Sequence, residues 1–242
     1  MSVGYNPKVV TSGLVIYLDA ANRKSYGGTG NSWINLTSNN ATFTLAAANV
    51  GGAQTVSSIY NTANSSLQFD GVDDYLDFYT SNLSSATVCT VEMLCKLNSL
   101  GSRMMFGFTG YDIYLSGNGV SYNTGNSDIY GVSSADVSSL GLNGNWAHYM
   151  FEMVNNTSQA SNPYTANKIY INGVSRTLTQ LNGLQSGSTR SFSTGAGRIA
   201  GWKNDDNYRG SFDCSFFKIY NRALTPAEIQ QSFNAVRGRV GI

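Results

Sequence analysis

The sequence predicts an all-β protein: an antiparallel β-sandwich closed by one short C-terminal helix. Three observations carry this prediction. Apolar residues alternate with a period of two along Thr90–Leu97 and Ala147–Val154, the pattern of strands with one buried face. Ser (31), Asn (26) and Gly (26) make up about a third of the 242 residues, while charged side chains are only 12%, which suits short strands joined by many turns. A single stretch, Thr225–Phe233, carries a complete helix-start signal.

Strand-like runs follow one another along the chain at Leu14–Leu18, Leu67–Phe69, Tyr75–Phe78, Thr87–Leu97, Arg103–Phe108, Asp112–Leu115, Ala147–Val154, Lys168–Ile171, Arg198–Gly201 and Phe212–Tyr220. Asn172-Gly173 marks a tight hairpin, because a type I′ turn needs positive φ at both central residues. Four polar stretches, Gly27–Val56, Ser116–Leu142, Asn155–Asn167 and Gln180–Thr194, read as long loops. In the helix, Thr225 is the N-cap, Pro226 occupies the first helical position and Glu228 completes a capping box, while Leu224 and Ile229 form a hydrophobic staple. Trp33 and Trp146 each lead an apolar strand and are expected in the core.

A formal charge of +1, with Lys and Arg scattered singly, argues against nucleic acid as a partner. No apolar run is long enough to insert in a membrane, and MSVGYNPKVVTSG has no apolar core of a signal peptide, so the protein is expected to accumulate in the cytosol. Cys89 and Cys95 share one strand about 20 Å apart, too far to bridge, and are expected with Cys214 as reduced, buried residues.

Several pieces together carry a resemblance. GLVIYLDAANRKSY (Gly13 to Tyr26), SLQFDGVDDYLDF (Ser66 to Phe78), NWAHYMFEM (Asn145 to Met153), NKIYINGV (Asn167 to Val174) and GSFDCSFFKIYNRALTPAEIQQSF (Gly210 to Phe233) resemble, in order, segments of the laminin-G-like jelly roll of the concanavalin A-like lectin/glucanase superfamily. The likeness spans nearly the whole chain and implies one jelly-roll domain over residues 1–242, with short arms at 1–12 and 237–242. The opening piece together with the chain's last residues is most similar to virion proteins of tailed phages, particularly those infecting cyanobacteria. That likeness implies a capsid decoration or tail-associated subunit, made in the host cytoplasm and assembled with copies of itself or with other virion proteins. The arms are expected to be buried against such neighbours.

The superfamily includes glucanases, so hydrolysis needs testing against the residues. Retaining glycosidases require two carboxylates about 5 Å apart. The resembling laminarinases carry a Glu-x-Asp-x-x-Glu cluster, whereas this chain has three Glu in all, Glu92, Glu152 and Glu228, none beside a second acid at alternating spacing. The only His, His148, lies within a strand and is read as locally hydrogen-bonded. Catalytic residues and a required cofactor are therefore not expected.

Two clusters remain as candidate binding sites. Asp70, Asp73 and Asp74 crowd around Gly71, and hard oxygen ligands on a rim loop are what calcium takes. Asp-Gly is equally good turn chemistry, and both readings stay open. Asp205-Asp206 is a second cation candidate on the same grounds. In GWKNDDNYRG, Trp202, Asn204, Asn207 and Tyr208 have the aromatic and planar-amide composition of a carbohydrate platform, against the alternative of an aromatic covering the sandwich edge. Two functions follow: a non-enzymatic virion structural protein, or a carbohydrate-binding adhesin that recognises host surface glycans.

Overall fold

A computed structural model describes residues 8–38, 41–47, 60–115, 117, 119–123, 129–155, 166–183, 190–203 and 205–242. The first part of the chain holds strands β1 (Leu14–Asp19), β2 (Ser32–Ile34), β3 (Thr42–Ala47), β4 (Tyr60–Asn61), β5 (Ser66–Asp70) and β6 (Asp74–Tyr79). The middle holds β7 (Val88–Leu97), β8 (Met104–Phe108), β9 (Tyr111–Tyr114), β10 (Val120–Asn123), β11 (Ile129–Val132) and the short helix α1 (Ser134–Ser139). Then come β12 (Trp146–Val154), β13 (Lys168–Ile171), β14 (Val174–Ser175), β15 (Thr179–Asn182), β16 (Ala196–Ile199), β17 (Ser211–Tyr220) and helix α2 (Pro226–Val236).

The strands form two antiparallel sheets. One has the order β14-β13-β12-β7-β17-β5-β4, with β1 on the far half of β17; the other runs β15-β11-β10-β9-β8-β16-β6-β3-β2. Phenylalanines from both sheets meet between them: Phe106 lies 5.6 Å from Phe151 and 5.9 Å from Phe217, and Phe78 lies 5.4 Å from Phe217. Those centroid distances are the range in which aromatic pairs attract beyond simple burial. Alternation fixes which side chains face this core, and the antiparallel sandwich expected from it is the fold observed.

Sequence patterning found β1, β5 to β9, β12, β13, β16 and β17 and missed strands inside the polar stretches. Within the stretches expected as loops lie β2 and β3, β10 and β11, and most of β15. Each lies in a stretch dominated by Ser, Thr, Asn and Gly, so its few apolar residues do not stand out from the turns around it. The Asn172-Gly173 hairpin is present, with φ of 52° and 76°. The three cysteines are free and buried, and Cys95 faces Cys214 across β7 and β17.

Helix α2 begins as its sequence dictates. The Thr225 side chain accepts the Glu228 N–H at 3.3 Å, and the Glu228 carboxylate accepts the Thr225 N–H at 2.9 Å. Leu224 and Ile229 pack with Met150 and Tyr220 on the outer face of the first sheet. The helix runs one turn past Phe233, because Val236 extends the same apolar face onto Leu94 and Phe216.

One expectation is corrected here, and the two arms can be described in part. Trp33 is fully buried, but Trp146 stands half-buried on the outer face of the first sheet, because the core-facing parity of β12 belongs to Ala147, Tyr149 and Phe151. Residues 237–242, expected as an arm for a partner, fold back on the chain itself. Arg239 binds Asp19 through both terminal nitrogens at 2.9 and 2.8 Å, and Val240 and Ile242 pack beside Phe216. Of the N-terminal arm 1–12, residues 1–7 lie outside the described residues, and Val10 is buried against the base of α2.

Candidate functional site

The β5–β6 turn brings Asp70, Asp73 and Asp74 together, with one oxygen of each within 4.8 Å of the others. Gly71 takes φ of 82°, where a side chain is strained, and a Cβ there would also stand 2.8 Å from the Ser211 Cβ, so the corner favours glycine. The turn chemistry is real: Asp70 accepts the Val72 N–H at 2.7 Å and Asp74 accepts the Asp70 N–H at 3.2 Å. Asp73 and Asp74 are nevertheless buried, each with an Oδ1 that has no hydrogen-bond partner among the described residues. Burial, and then the charge of Asp70, push the Asp74 carboxyl up to about 6. A set of crowded oxygens with unsatisfied lone pairs fits a hard cation such as calcium, which would be held by Asp70, Asp73 and Asp74.

The loop after β16 carries Trp202, Asn207 and Tyr208; Asn204 lies outside the described residues. Ion pairs staple this loop to the outer face of the second sheet. Lys203 binds Asp77 at 2.5 Å, and Asp206 bridges Arg198 at 2.6 Å and Arg209 at 2.5 Å. Both guanidinium groups stack over the Tyr75 ring, at 4.0 and 4.2 Å. Asp205 accepts the backbone and side-chain N–H of Asn207 at 2.8 and 2.7 Å. Arginine charge engages Oδ1 of Asp206 and the Asn207 amides engage Oδ1 of Asp205, which weighs against the cation reading of Asp205-Asp206. Burial raises the Asp77 carboxyl, but hydrogen bonds from Arg198 and Lys203 outweigh it and hold the group below its usual range.

On this scaffold Trp202 is half-buried. Its indole N–H donates to the Phe108 carbonyl at 3.1 Å, and its ring rests against Gly107, where any Cβ would stand 3.0 Å from the ring. Tyr208, also half-buried, meets Tyr114 edge-on at 5.8 Å, and Asn207 is exposed.

Strand register extends this surface into a polar row, running Asp77, Arg198, Gly107, Asp112 and Asn123 across β6, β16, β8, β9 and β10. Sequence reasoning passed over Asp112, although the alternation in YDIY points it away from the core. It is buried all the same, with Oδ1 unpartnered among the described residues. Burial pushes its carboxyl up to about 7 against the opposing charge of Arg190 and a hydrogen bond from Asn123.

All three glutamates are committed to structure. Glu92 is fully buried beneath α2, bound by Lys218 at 2.9 Å, Tyr220 at 2.9 Å and His148 at 3.0 Å. Burial raises the Glu92 carboxyl, yet the Lys218 charge and the His148 hydrogen bond prevail and hold it down at about 2. Glu152 pairs with Lys168 at 2.8 Å, and Glu228 serves the capping box and Arg222. His148 is thus the locally bonded strand histidine the sequence suggested.

No curated protein matches the chain by sequence. Solved structures do match it in fold. Trypanosoma rangeli sialidase in complex with the inhibitor DANA aligns with a TM-score of 0.56 at 14% identity, over 95% of this chain and 35% of the sialidase. The binding domain of botulinum neurotoxin DC aligns in complex with SialylT (TM-score 0.55, 11% identity) and with rat synaptotagmin II (TM-score 0.58, 13% identity); each covers 93% of this chain and 52% of the toxin domain. The chain therefore spans about a third of the sialidase and half of the toxin domain, and these likenesses concern the fold alone. A family model described as the concanavalin A-like lectin/glucanases superfamily, of laminin-G type, matches residues 69–230. With two thirds of its length in that match and its two antiparallel sheets packed face to face, the chain belongs to the concanavalin A-like lectin/glucanase superfamily.

Proposed function

We propose that this protein is a non-catalytic carbohydrate-binding attachment module, with the Trp202 loop as its recognition surface. The carrying observation is the set of contacts that fastens that loop to the second sheet. Three ion-paired cations and an indole anchored to Phe108 hold Trp202 and Tyr208 in place before any ligand arrives, so little ordering entropy opposes binding. A partly exposed aromatic beside the exposed Asn207 suits the alternating apolar and hydroxyl faces of a pyranose. The botulinum neurotoxin DC binding domain, about half of which shares this fold, is solved in complex with SialylT, which is compatible with this reading. No hydrolysis is assigned, because Glu92, Glu152 and Glu228 are each tied to cationic partners.

The finer reading places the module on a tailed-phage virion, as a capsid decoration or tail-associated subunit among other virion proteins. It rests on the similarity of Gly13–Tyr26 and of the closing segment to such proteins. Calcium at Asp70, Asp73 and Asp74 belongs to the same proposal as a structural ion. The test is a glycan microarray with wild-type protein and Trp202→Ala: selective binding lost in the variant supports the reading, and binding to no glycan removes it. Mass spectrometry of purified particles tests the virion context; absence of the chain from particles would reject that part alone.

A further inference from the structure

The outer face of the first sheet holds a cleft of about 480 Å³, lined by Ala21, Ala63, Asn64, Ser65, Trp146, Ser215, Arg239 and Val240. Its size falls within the ~300–1,000 Å³ of small-molecule sites. Three irregular pieces of backbone build it. The β4–β5 turn holds Ser65 at φ of 48°, a left-handed conformation that a residue with a Cβ adopts at a cost. Strand β17 bulges between Cys214 and Phe216, and bulges re-aim side chains; here Ser215 lines the cleft while its carbonyl accepts the Ala20 N–H at 2.9 Å. The folded-back C-terminus supplies the third wall.

The chemistry of the lining is specific. Trp146, half-buried at the start of β12, makes no hydrogen bond through its indole among the described residues, and neither do the side chains of Asn64 and Ser65. Arg239 is held rigidly by Asp19 at 2.9 and 2.8 Å, so its remaining N–H groups are fixed donors while the paired carboxylate neutralises its charge. Beside Trp146 in register, Lys96 is likewise neutralised by Asp213 at 2.9 Å. The cleft thus offers an aromatic surface, a planar amide, hydroxyl groups and a guanidinium edge, with no net charge to satisfy.

We infer that this cleft is a second ligand site, separate from the Trp202 loop and on the opposite sheet, and that it takes a neutral saccharide unit. A pyranose presents apolar C–H groups to an aromatic ring and hydroxyls that both donate and accept, matching Trp146 together with Asn64, Ser65, Ser215 and Arg239. An acidic sugar would bring a charge that the Arg239–Asp19 pair does not call for.

The experiment uses the indole N–H resonances of the three tryptophans in the ¹⁵N-labelled full chain, assigned with Trp146→Phe. Methyl glycosides of glucose, galactose, mannose and N-acetylglucosamine serve as probes, with sialic acid as the acidic comparison. The Trp146 signal should shift saturably with at least one neutral glycoside. Trp146→Ala, and Asn64→Ala in its exposed turn, should each weaken that binding roughly tenfold, the scale of one lost good contact. Trp202→Ala should leave it unchanged. The inference is overturned if no neutral glycoside moves Trp146, if only sialic acid does, or if affinity survives both cleft variants. A glycoside that moves Trp202 alone overturns the cleft while leaving the loop reading intact.

Discussion

Single residues in this protein show how far local sequence reaches. The capping box of Thr225 and Glu228 was legible because all its partners lie within four residues. Asp112 was not, because cross-strand neighbours bury it. Its raised pKa has a definite sign: the folded state keeps the proton while the unfolded chain loses it, so this group erodes stability as pH rises from about 4, the unfolded value, to about 7. Asp112→Asn should therefore gain melting temperature relative to wild type between pH 4.5 and pH 8; a constant difference would contradict the assignment. Glu92 has the opposite sign. Its depressed pKa contributes stability that is present above about 4.5 and lost as pH falls toward 2, so Glu92→Gln should flatten the acid limb of the stability curve. That variant should also lower stability near neutral pH, because it leaves Lys218 buried without its counter-charge.

Elements differ in legibility for a related reason. Ten-residue strands such as β7 and β17 carry enough alternation to announce themselves, whereas β2, β10 and β11 exist because neighbouring strands complete their hydrogen bonding. Trp146 was misassigned at this scale: leading an apolar strand does not settle which face the first residue takes. Thr225→Ala should cost on the order of 1 kcal/mol through loss of the α2 cap, measured by urea denaturation. At the β5–β6 turn, an ion on the aspartates would add stability by mass action. Calcium should raise the melting temperature, a chelator should lower it, and Asp73→Asn/Asp74→Asn should abolish the response. Indifference of the wild-type protein to both would leave these aspartates as turn residues.

Across the whole molecule, the sandwich and its closing helix were readable from periodicity and resemblance, but the path of the last six residues was not. The match of Arg239 to Asp19 joins positions 220 residues apart, which no local pattern encodes. Deleting residues 237–242 should therefore destabilise the sandwich instead of merely freeing it from a partner. A loss on the order of 2 kcal/mol is expected, below that for a fully buried pair because the guanidinium is about one third exposed. Unchanged melting on deletion would argue that the tail is a detachable arm. The central claim, that this lectin-like fold holds carbohydrate without cleaving it, is tested most directly by mass spectrometry of a microarray-selected glycan after prolonged incubation with the purified protein. The account predicts that the glycan is retained on the protein and recovered with its mass unchanged. Release of shorter saccharides, abolished by Glu92→Gln or Glu152→Gln, would contradict it.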